Sequence, residues 1–160
     1  MVQTAEGVSE LDARLLGLPP TAIEAHALAG WFMVEVANDA EFRARLLESG
    51  LLHFATPVFH DDLGGLLFPT RNIILALDDP EAEAEVFEHL RALGGGRVLA
   101  RNWENLNGAF LIEAQSRDGG RVLEMAAELS ALEGVRFAEP DLCFSGSKLH
   151  HPNDARFFEM

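Results

Sequence analysis

The side chains that could do chemistry are few and widely spaced along this chain. No Gly-x-Ser-x-Gly segment presents a serine nucleophile, and no histidine stands in a motif that would make it a general base. The histidines are His26, His53, His60, His89, His150 and His151. The sequence therefore predicts no catalytic triad, and no catalytic residue is assigned to this chain.

Three further features contain residue types found at metal, phosphate or thiol sites, but their sequence context argues against such a role. His60 to Asp62 offers metal-binding atoms, but three adjacent polar residues are typical of an ordinary loop. Gly94 to Gly96 follows a predicted helix instead of preceding one, which is typical of a helix C-terminus and not of a phosphate loop. Cys143 is the only cysteine, which excludes an internal disulfide and a cysteine-based zinc site. We expect no metal and no cofactor.

The charge balance limits the partners. The chain has 160 residues, with 12 basic and 26 acidic side chains and a net charge of -14. Nucleic acids and anionic membranes attract positively charged proteins, so neither is expected as a partner. No apolar run reaches the length of a membrane span, and the first residues lack the basic and apolar regions of a secretory signal. The chain is expected either in the cytoplasm or in a form from which a signal was removed.

Glycines, prolines and apolar spacing predict where the elements lie. Residues 1–28 carry no clear pattern beyond a short helical stretch, and we expect this segment to be partly flexible. Residues 29–61 predict a partial β-α-β unit, with a strand over Trp31 to Ala37, a helix that Gly50 ends, and a strand over His53 to Phe59.

Residues 70–142 have a fuller pattern, with the order β-α-β-β-α-β. Asp79 and Asp118 are predicted to cap the two helices. Their apolar faces are predicted at Val86, Phe87, Leu90 and Leu93 and at Val122, Met125, Ala126, Leu129 and Leu132. This order predicts an α+β, ferredoxin-like fold, in which two helices cover one face of a four-stranded antiparallel sheet. The unit at 29–61 is interpreted as a degenerate copy of the same theme.

Alternation along the strands predicts that the helix-free face of this sheet is also apolar. The helix side is predicted to hold Ile73, Leu75, Val98, Phe110, Ile112 and Phe137. The open side is predicted to hold Ile74, Leu99, Trp103 and Leu111. A strand with one solvated face alternates apolar and polar residues, and these strands do not. We therefore expect something to cover the helix-free face. The candidates are the first unit, a second copy of the chain, or a partner protein.

Three stretches in a fixed order resemble the propeptides of bacterial subtilisin-like serine proteases. Pro57 to Phe59, followed by Pro69 to Ile74, is similar to the start of the propeptide core in that family. Val135 to Asp141 is similar to its last strand. Pro152 to Asp154, with an aromatic pair after it, resembles the first residues of the protease itself, with Ala155 in place of the usual second proline.

The resemblance implies an inhibitor and intramolecular chaperone of a subtilisin-like catalytic domain, in a parent protein that is a serine endopeptidase. The open sheet face would dock on that domain through Ile74, Leu99, Trp103 and Leu111. Residues 143–160 would connect to the catalytic domain, which is absent here. The tail would block the substrate cleft, with the cleaved bond expected between Ser145 and His150. That tail consists of Leu142, Cys143, Phe144, Ser145, Gly146, Ser147, Lys148, Leu149 and His150.

Two alternatives stay open at this point. Small β-α-β-β-α-β domains also serve as regulatory modules that pair their sheets and bind a metabolite between them, which rests on analogy of fold alone. A free-standing protease inhibitor is the other, although it would have no need of residues that resemble the start of a protease.

Overall fold

A computed structural model describes residues 1–4, 23–25, 30–34, 40–60, 62 and 65–145. Its strands are Val2–Thr4 (β1), Ile23–Ala25 (β2), Trp31–Val34 (β3), Leu52–Ala55 (β4), Phe59–His60 (β5), Leu66–Leu77 (β6), Gly96–Arg101 (β7), Ala109–Ala114 (β8) and Val135–Ser145 (β9). Its helices are Ala40–Glu48 (α1), Glu83–Ala92 (α2) and Gly119–Ser130 (α3). The strands form two antiparallel sheets, so the fold class is α+β.

The larger sheet is built around β6. Strand β9 pairs with one edge of β6 and β8 with the other, while β7 pairs with β8. The short β5 pairs with the first residues of β6. The order of elements from β6 to β9 is therefore β-α-β-β-α-β, as the sequence predicts. The sheet extends beyond the predicted range of 70–142, because β6 begins at Leu66 and β9 ends at Ser145.

Both predicted helix starts are confirmed by side-chain caps. The Asp79 carboxylate accepts a hydrogen bond from the Glu81 amide at 2.9 Å, at the start of a 3-10 turn that leads into α2. The Asp118 carboxylate accepts one from the Gly120 amide at 2.8 Å and starts α3. Each bond satisfies an amide that has no partner within the helix.

The main core lies between these two helices and one face of the larger sheet. The helices contribute Val86, Leu90, Val122, Met125, Ala126 and Leu129, and the sheet contributes Ile73, Leu75, Phe110 and Ile112, all of them buried. Val98, Phe87, Leu93 and Leu132 pack against this cluster. The predicted helix faces and all of the predicted helix side of the sheet except Phe137 are thus confirmed.

Phe137 is assigned to the wrong face by simple alternation. Its neighbour Ala138 is the buried residue, directly opposite Leu75, and Phe137 lies opposite Ala76 on the other face of the sheet. The partner strand, not the local pattern, decides which residues of β9 turn inward. A one-residue shift moves a whole strand to the opposite face.

A β-bulge changes the direction of side chains in β7. Val98 lies opposite Ile112, but Ala100 lies opposite Leu111, so one extra residue, Leu99, is accommodated between them. After the bulge, Arg101 lies opposite Phe110 on the helix side, with its guanidinium 5.1 Å from the ring centroid. The predicted strand to Trp103 is too long, because β7 ends at Arg101.

The smaller sheet includes two short strands from residues 1–28 that the sequence pattern does not indicate. Val2–Thr4 forms a strand that pairs with β3 on one side and β4 on the other, and β2 pairs with β3. Val2 is buried together with Leu46 of α1 and Leu52. The β3-α1-β4 unit is therefore completed by the first residues of the chain, since β3 and β4 run parallel on either side of β1.

Aromatic side chains join the smaller sheet to the main core. The Trp31 ring lies 6.1 Å from that of Phe54 and 5.2 Å from that of Phe68, which belongs to β6. Phe54 is itself part of the main core cluster. Next to this contact Thr56 approaches Gly119 so closely that a Cβ at Gly119 would lie 1.9 Å from the threonine hydroxyl oxygen. The first unit thus packs against one end of the larger unit.

Candidate protein-docking surfaces

The helix-free face of the larger sheet carries an apolar patch. Ile74 lies directly opposite Leu111, and the bulge brings Leu99 and Ala100 together opposite Leu111 from the other side. Leu99 is 43% exposed, and Ile74 and Leu111 are partly exposed. Neither apolar cluster of the described residues includes these three side chains. Ile74, Leu99 and Leu111 are hereafter called the open-face patch.

Charged residues border the open-face patch. Glu113, two residues along β8 from Leu111, pairs with Arg97 at 2.9 Å and lies 3.8 Å from Arg71. Glu139 is the direct neighbour of Ile74 on β9. An apolar centre with a rim of charged groups is the usual composition of a surface that binds another protein.

The sequence predicts Trp103 among these residues, but the structure places it elsewhere. It lies in the 3-10 turn Trp103–Asn105 after the end of β7. Asn102 and Glu104 on either side of it have φ values of 52° and 53°, a left-handed conformation that is uncommon outside glycine. Trp103 is therefore at the end of the sheet and not on the strand that carries Leu99.

The predicted inhibitory tail is divided by the end of β9. Leu142, Cys143, Phe144 and Ser145 continue the β9 ladder and pair with the first four residues of β6, Leu66 to Pro69. The other five predicted tail residues, Gly146, Ser147, Lys148, Leu149 and His150, lie outside the described residues. Any free tail must therefore begin near residue 145 instead of at residue 142.

Two sequence stretches that support the family resemblance touch each other in space. The Asp141 carboxylate, at the end of the Val135 to Asp141 stretch, accepts hydrogen bonds from the Thr70 hydroxyl at 3.0 Å and the Asn72 side-chain amide at 3.3 Å. Both donors belong to the stretch from Pro69 to Ile74. These contacts fix β9 against an irregular part of β6, where the register shifts between Pro69 and Ile73.

The pairing of β5, β6 and β9 creates a second apolar surface, which the sequence pattern does not indicate. Phe59 lies directly opposite Leu67, and Leu67 lies directly opposite Phe144, so the three side chains form one row across β5, β6 and β9. Phe144 is 70% exposed and Phe59 is 42% exposed. The row was missed because it depends on the pairing of three strands that are distant in sequence. Phe59, Leu67 and Phe144 are hereafter called the aromatic row.

Polar groups with a possible catalytic role are engaged in structural contacts. His53 Nε2 lies 2.6 Å from Arg71 Nη1, and because arginine only donates, this nitrogen accepts and the ring is neutral. Partial burial, with the charges of Arg71 and Arg117, lowers the pKa of His53. Partial burial, helped by the Asp141 carboxylate, raises the pKa of the Cys143 thiol, which disfavours the nucleophilic thiolate.

The described residues contain few other features with possible chemistry. No group of three or more potential metal ligands occurs within them. A groove of about 380 Å³ beside the β7–β8 connection is lined by the ion pairs of Arg101 with Glu83 and of Arg136 with Asp78. Across the same ranges, no helix is long and apolar enough to cross a membrane.

Comparisons with protein families, curated proteins and solved structures find no match to this chain.

Proposed function

We propose that residues 66–145 form a ferredoxin-like domain and that the chain is the propeptide of a subtilisin-like serine protease, which it inhibits and helps to fold. The strand order across the sheet, β9-β6-β8-β7, supports the first part. When the four strands of this unit are numbered along the chain, that order is fourth, first, third and second. Two helices on one face leave the other face for a partner.

The observation that carries the functional proposal is the open-face patch. A protein with a net charge of -14 has ample charge to solvate its surface, yet the centre of this face is occupied by Ile74, Leu99 and Leu111. An apolar surface with a charged rim is best explained by a protein that covers it. The acidic charge also disfavours nucleic acid as that partner.

The position of the C-terminal strand supports the inhibitory role. Strand β9 runs along the edge of the sheet to Ser145, and the chain then continues into the segment where the cleaved bond is expected. An extended segment can add to a protease cleft through main-chain hydrogen bonds. Because the docked sheet holds the tail next to the cleft, binding of the tail becomes effectively intramolecular and is strengthened without new contacts.

The test is inhibition in trans. The chain is mixed with purified subtilisin-like proteases, and initial rates on a chromogenic peptide are followed over a range of inhibitor concentrations. We expect competitive inhibition, and faster recovery of activity when an acid-denatured protease is refolded with the chain present. Absence of both effects would count against the proposal. A second test is the gene, in which the proposal requires a protease domain with Asp, His and Ser motifs in the same reading frame.

A further inference from the structure

Two arginine side chains meet at His53 of β4. Arg71 Nη1 lies 2.6 Å from His53 Nε2, and Arg117 Nε donates to the His53 carbonyl oxygen at 3.1 Å. Arg117 also donates to the Leu52 carbonyl oxygen, and both Arg117 and His53 are exposed. Two positive charges are therefore held beside one exposed ring. Arg71, Arg117 and His53 are hereafter called the basic cluster.

The two arginines of the basic cluster lack a carboxylate of their own among the described residues. Glu113 lies 3.8 Å from Arg71 but pairs more closely, at 2.9 Å, with Arg97. The hydrogen bonds that Arg117 makes within the described ranges go to main-chain carbonyl oxygens. Arg71 Nε is buried and has no hydrogen-bond partner among the same residues. Because a buried cation is unfavourable without a counter-charge, this excess of positive charge would be stabilised by an anion.

The ionisation of His53 reflects the same excess of positive charge. Partial burial lowers the pKa of His53, and the charges of Arg71 and Arg117 lower it further. The Glu113 carboxylate acts in the opposite direction but does not cancel the shift. An anion bound beside the ring would oppose the two arginines and favour the protonated form.

The basic cluster adjoins the open-face patch. Glu113 lies two residues from Leu111 along β8, so the two side chains are on the same face of the sheet. Arg71 reaches this face through its contact with Glu113. The Asp141 carboxylate, on β9, is already bonded to two side chains of β6. A protein that covers the open-face patch would therefore also meet the basic cluster.

We infer that the basic cluster receives a carboxylate group, from an aspartate or glutamate of the protein that covers the open-face patch. This inference rests on the proposed function, since it names the chemistry of one part of the same interface. Guanidinium groups match a carboxylate in both charge and hydrogen-bonding geometry. A nucleic-acid phosphate has similar chemistry, but the net charge of -14 would repel the polymer. The charge pair would fix the register of the partner on an apolar patch that has little directional preference.

The test measures inhibition constants for two variants of the full chain, against the protease that the parent chain inhibits. Arg117→Gln removes one positive charge of the cluster and should raise the inhibition constant about 3- to 10-fold. Glu113→Gln removes a carboxylate that competes with that of the partner and should lower it about 3-fold. The matched controls are Arg91→Gln and Glu88→Gln, which neutralise an exposed ion pair of α2 and should stay within about 2-fold of the parent.

Salt separates an electrostatic role from a structural one. Both effects should shrink between about 0.1 M and about 1 M sodium chloride, because the screening length falls from about 10 Å to about 3 Å. Thermal unfolding checks that the four variants fold. If Arg117→Gln does not fold, Glu113→Gln decides alone, because damage to the structure would weaken inhibition and not strengthen it.

The outcomes distinguish this inference from the proposed function. If the parent chain inhibits and the two cluster variants match their controls, or both change inhibition in the same direction, the inference is overturned. A parent dimer that Arg117→Gln dissociates would also overturn it, in favour of a second copy. If the parent chain inhibits no protease, the proposed function fails, and sodium acetate then tests the basic cluster by itself. Acetate exchanged for chloride at constant ionic strength should shift the NMR signals of the His53 ring to saturation and raise its pKa. A response without saturation would overturn the inference.

Discussion

Ile74 lies directly opposite Leu111 on the helix-free face of the sheet, and neither belongs to an apolar cluster of the described residues. Opposed residues of neighbouring strands have their Cβ atoms only about 5 Å apart, so the two side chains form one continuous surface. Leu99 extends this surface because the β7 bulge turns it toward Leu111. Because the three side chains form one surface, a single substitution can test whether the open-face patch binds a partner.

Leu99→Lys is expected to weaken protease inhibition at least about 10-fold, because a desolvated lysine in an apolar interface costs more than about 1.4 kcal/mol. Leu99 is 43% exposed, so the fold should tolerate the change. The control is Ala127→Lys, which adds the same charge at an exposed position of α3, on the helix side. Equal inhibition by both variants, measured as inhibition constants, would exclude the open-face patch from the interface.

The sequence predicted the elements and the buried side of this sheet better than its exposed side. Helix starts at Asp79 and Asp118 depend on local hydrogen bonds, which a local pattern can reveal. The face of Phe137 depends on its register with Ala76, and the direction of Arg101 depends on a bulge opposite Leu111. Neither feature leaves a local signal, and both belong to the edge strands of the sheet.

The sequence likewise predicted only part of the candidate site. Ile74, Leu99 and Leu111 do share a surface, whereas Trp103 lies in the turn beyond it. The aromatic row and strand β1 could not be predicted, since each exists only through pairing with distant strands. Val2–Thr4 is too short to show any periodicity.

Gly119→Ala is expected to destabilise the fold by about 2 to 3 kcal/mol, which is typical of an overpacked core. The new methyl group would lie 2.5 Å from Thr56 Cβ and 1.9 Å from its hydroxyl oxygen. Neighbouring backbone hydrogen bonds hold both Thr56 and the start of α3 in place. The matched change is Gly120→Ala, whose methyl would have as its nearest neighbours side-chain atoms of Arg43 and Asp118, the two residues of the ion pair. Denaturant unfolding should find Gly120→Ala within about 1 kcal/mol of the parent, because alanine also favours the helix.

Asp118→Ala is expected to cost about 1 to 2 kcal/mol of unfolding free energy. The Asp118 carboxylate caps α3 and also pairs with Arg43 Nε at 2.8 Å, so it joins the helix to α1. Asp79→Ala removes only the cap of an exposed 3-10 turn and should cost about 0.5 kcal/mol. Denaturant titrations of the two variants measure the difference, and equal costs would show that the Arg43 pair contributes nothing.

His53 is expected to make the stability of the fold depend on pH. Because partial burial and the charges of Arg71 and Arg117 lower its pKa in the folded state, the unfolded chain binds the proton more readily. The stabilising contribution is therefore complete above the ordinary histidine pKa of about 6.5 and is lost as the pH falls through the lowered value. The advantage of the parent over His53→Gln should be larger at pH 7.5 than at pH 5.

The control for this pH effect is His60→Gln, at an exposed position of β5. Its stability should follow that of the parent chain at both values of pH. Thermal or denaturant unfolding of the three proteins gives the comparison. A constant difference between the parent and His53→Gln across this range would mean that folding does not lower the pKa of His53.

Cleavage by the protease is expected only beyond the end of β9. A protease binds its substrate as an extended strand with free main-chain groups, and those of Leu142 to Phe144 are already paired with Leu67 to Pro69. Freeing them would also release the Asp141 contacts with Thr70 and Asn72. Mass spectrometry of the chain after incubation with the inhibited protease should therefore find new C-termini between residues 145 and 150. New C-termini within residues 135–144 would instead require β9 to leave the sheet when the complex forms, and the tail would then be a longer segment than the end of β9 implies.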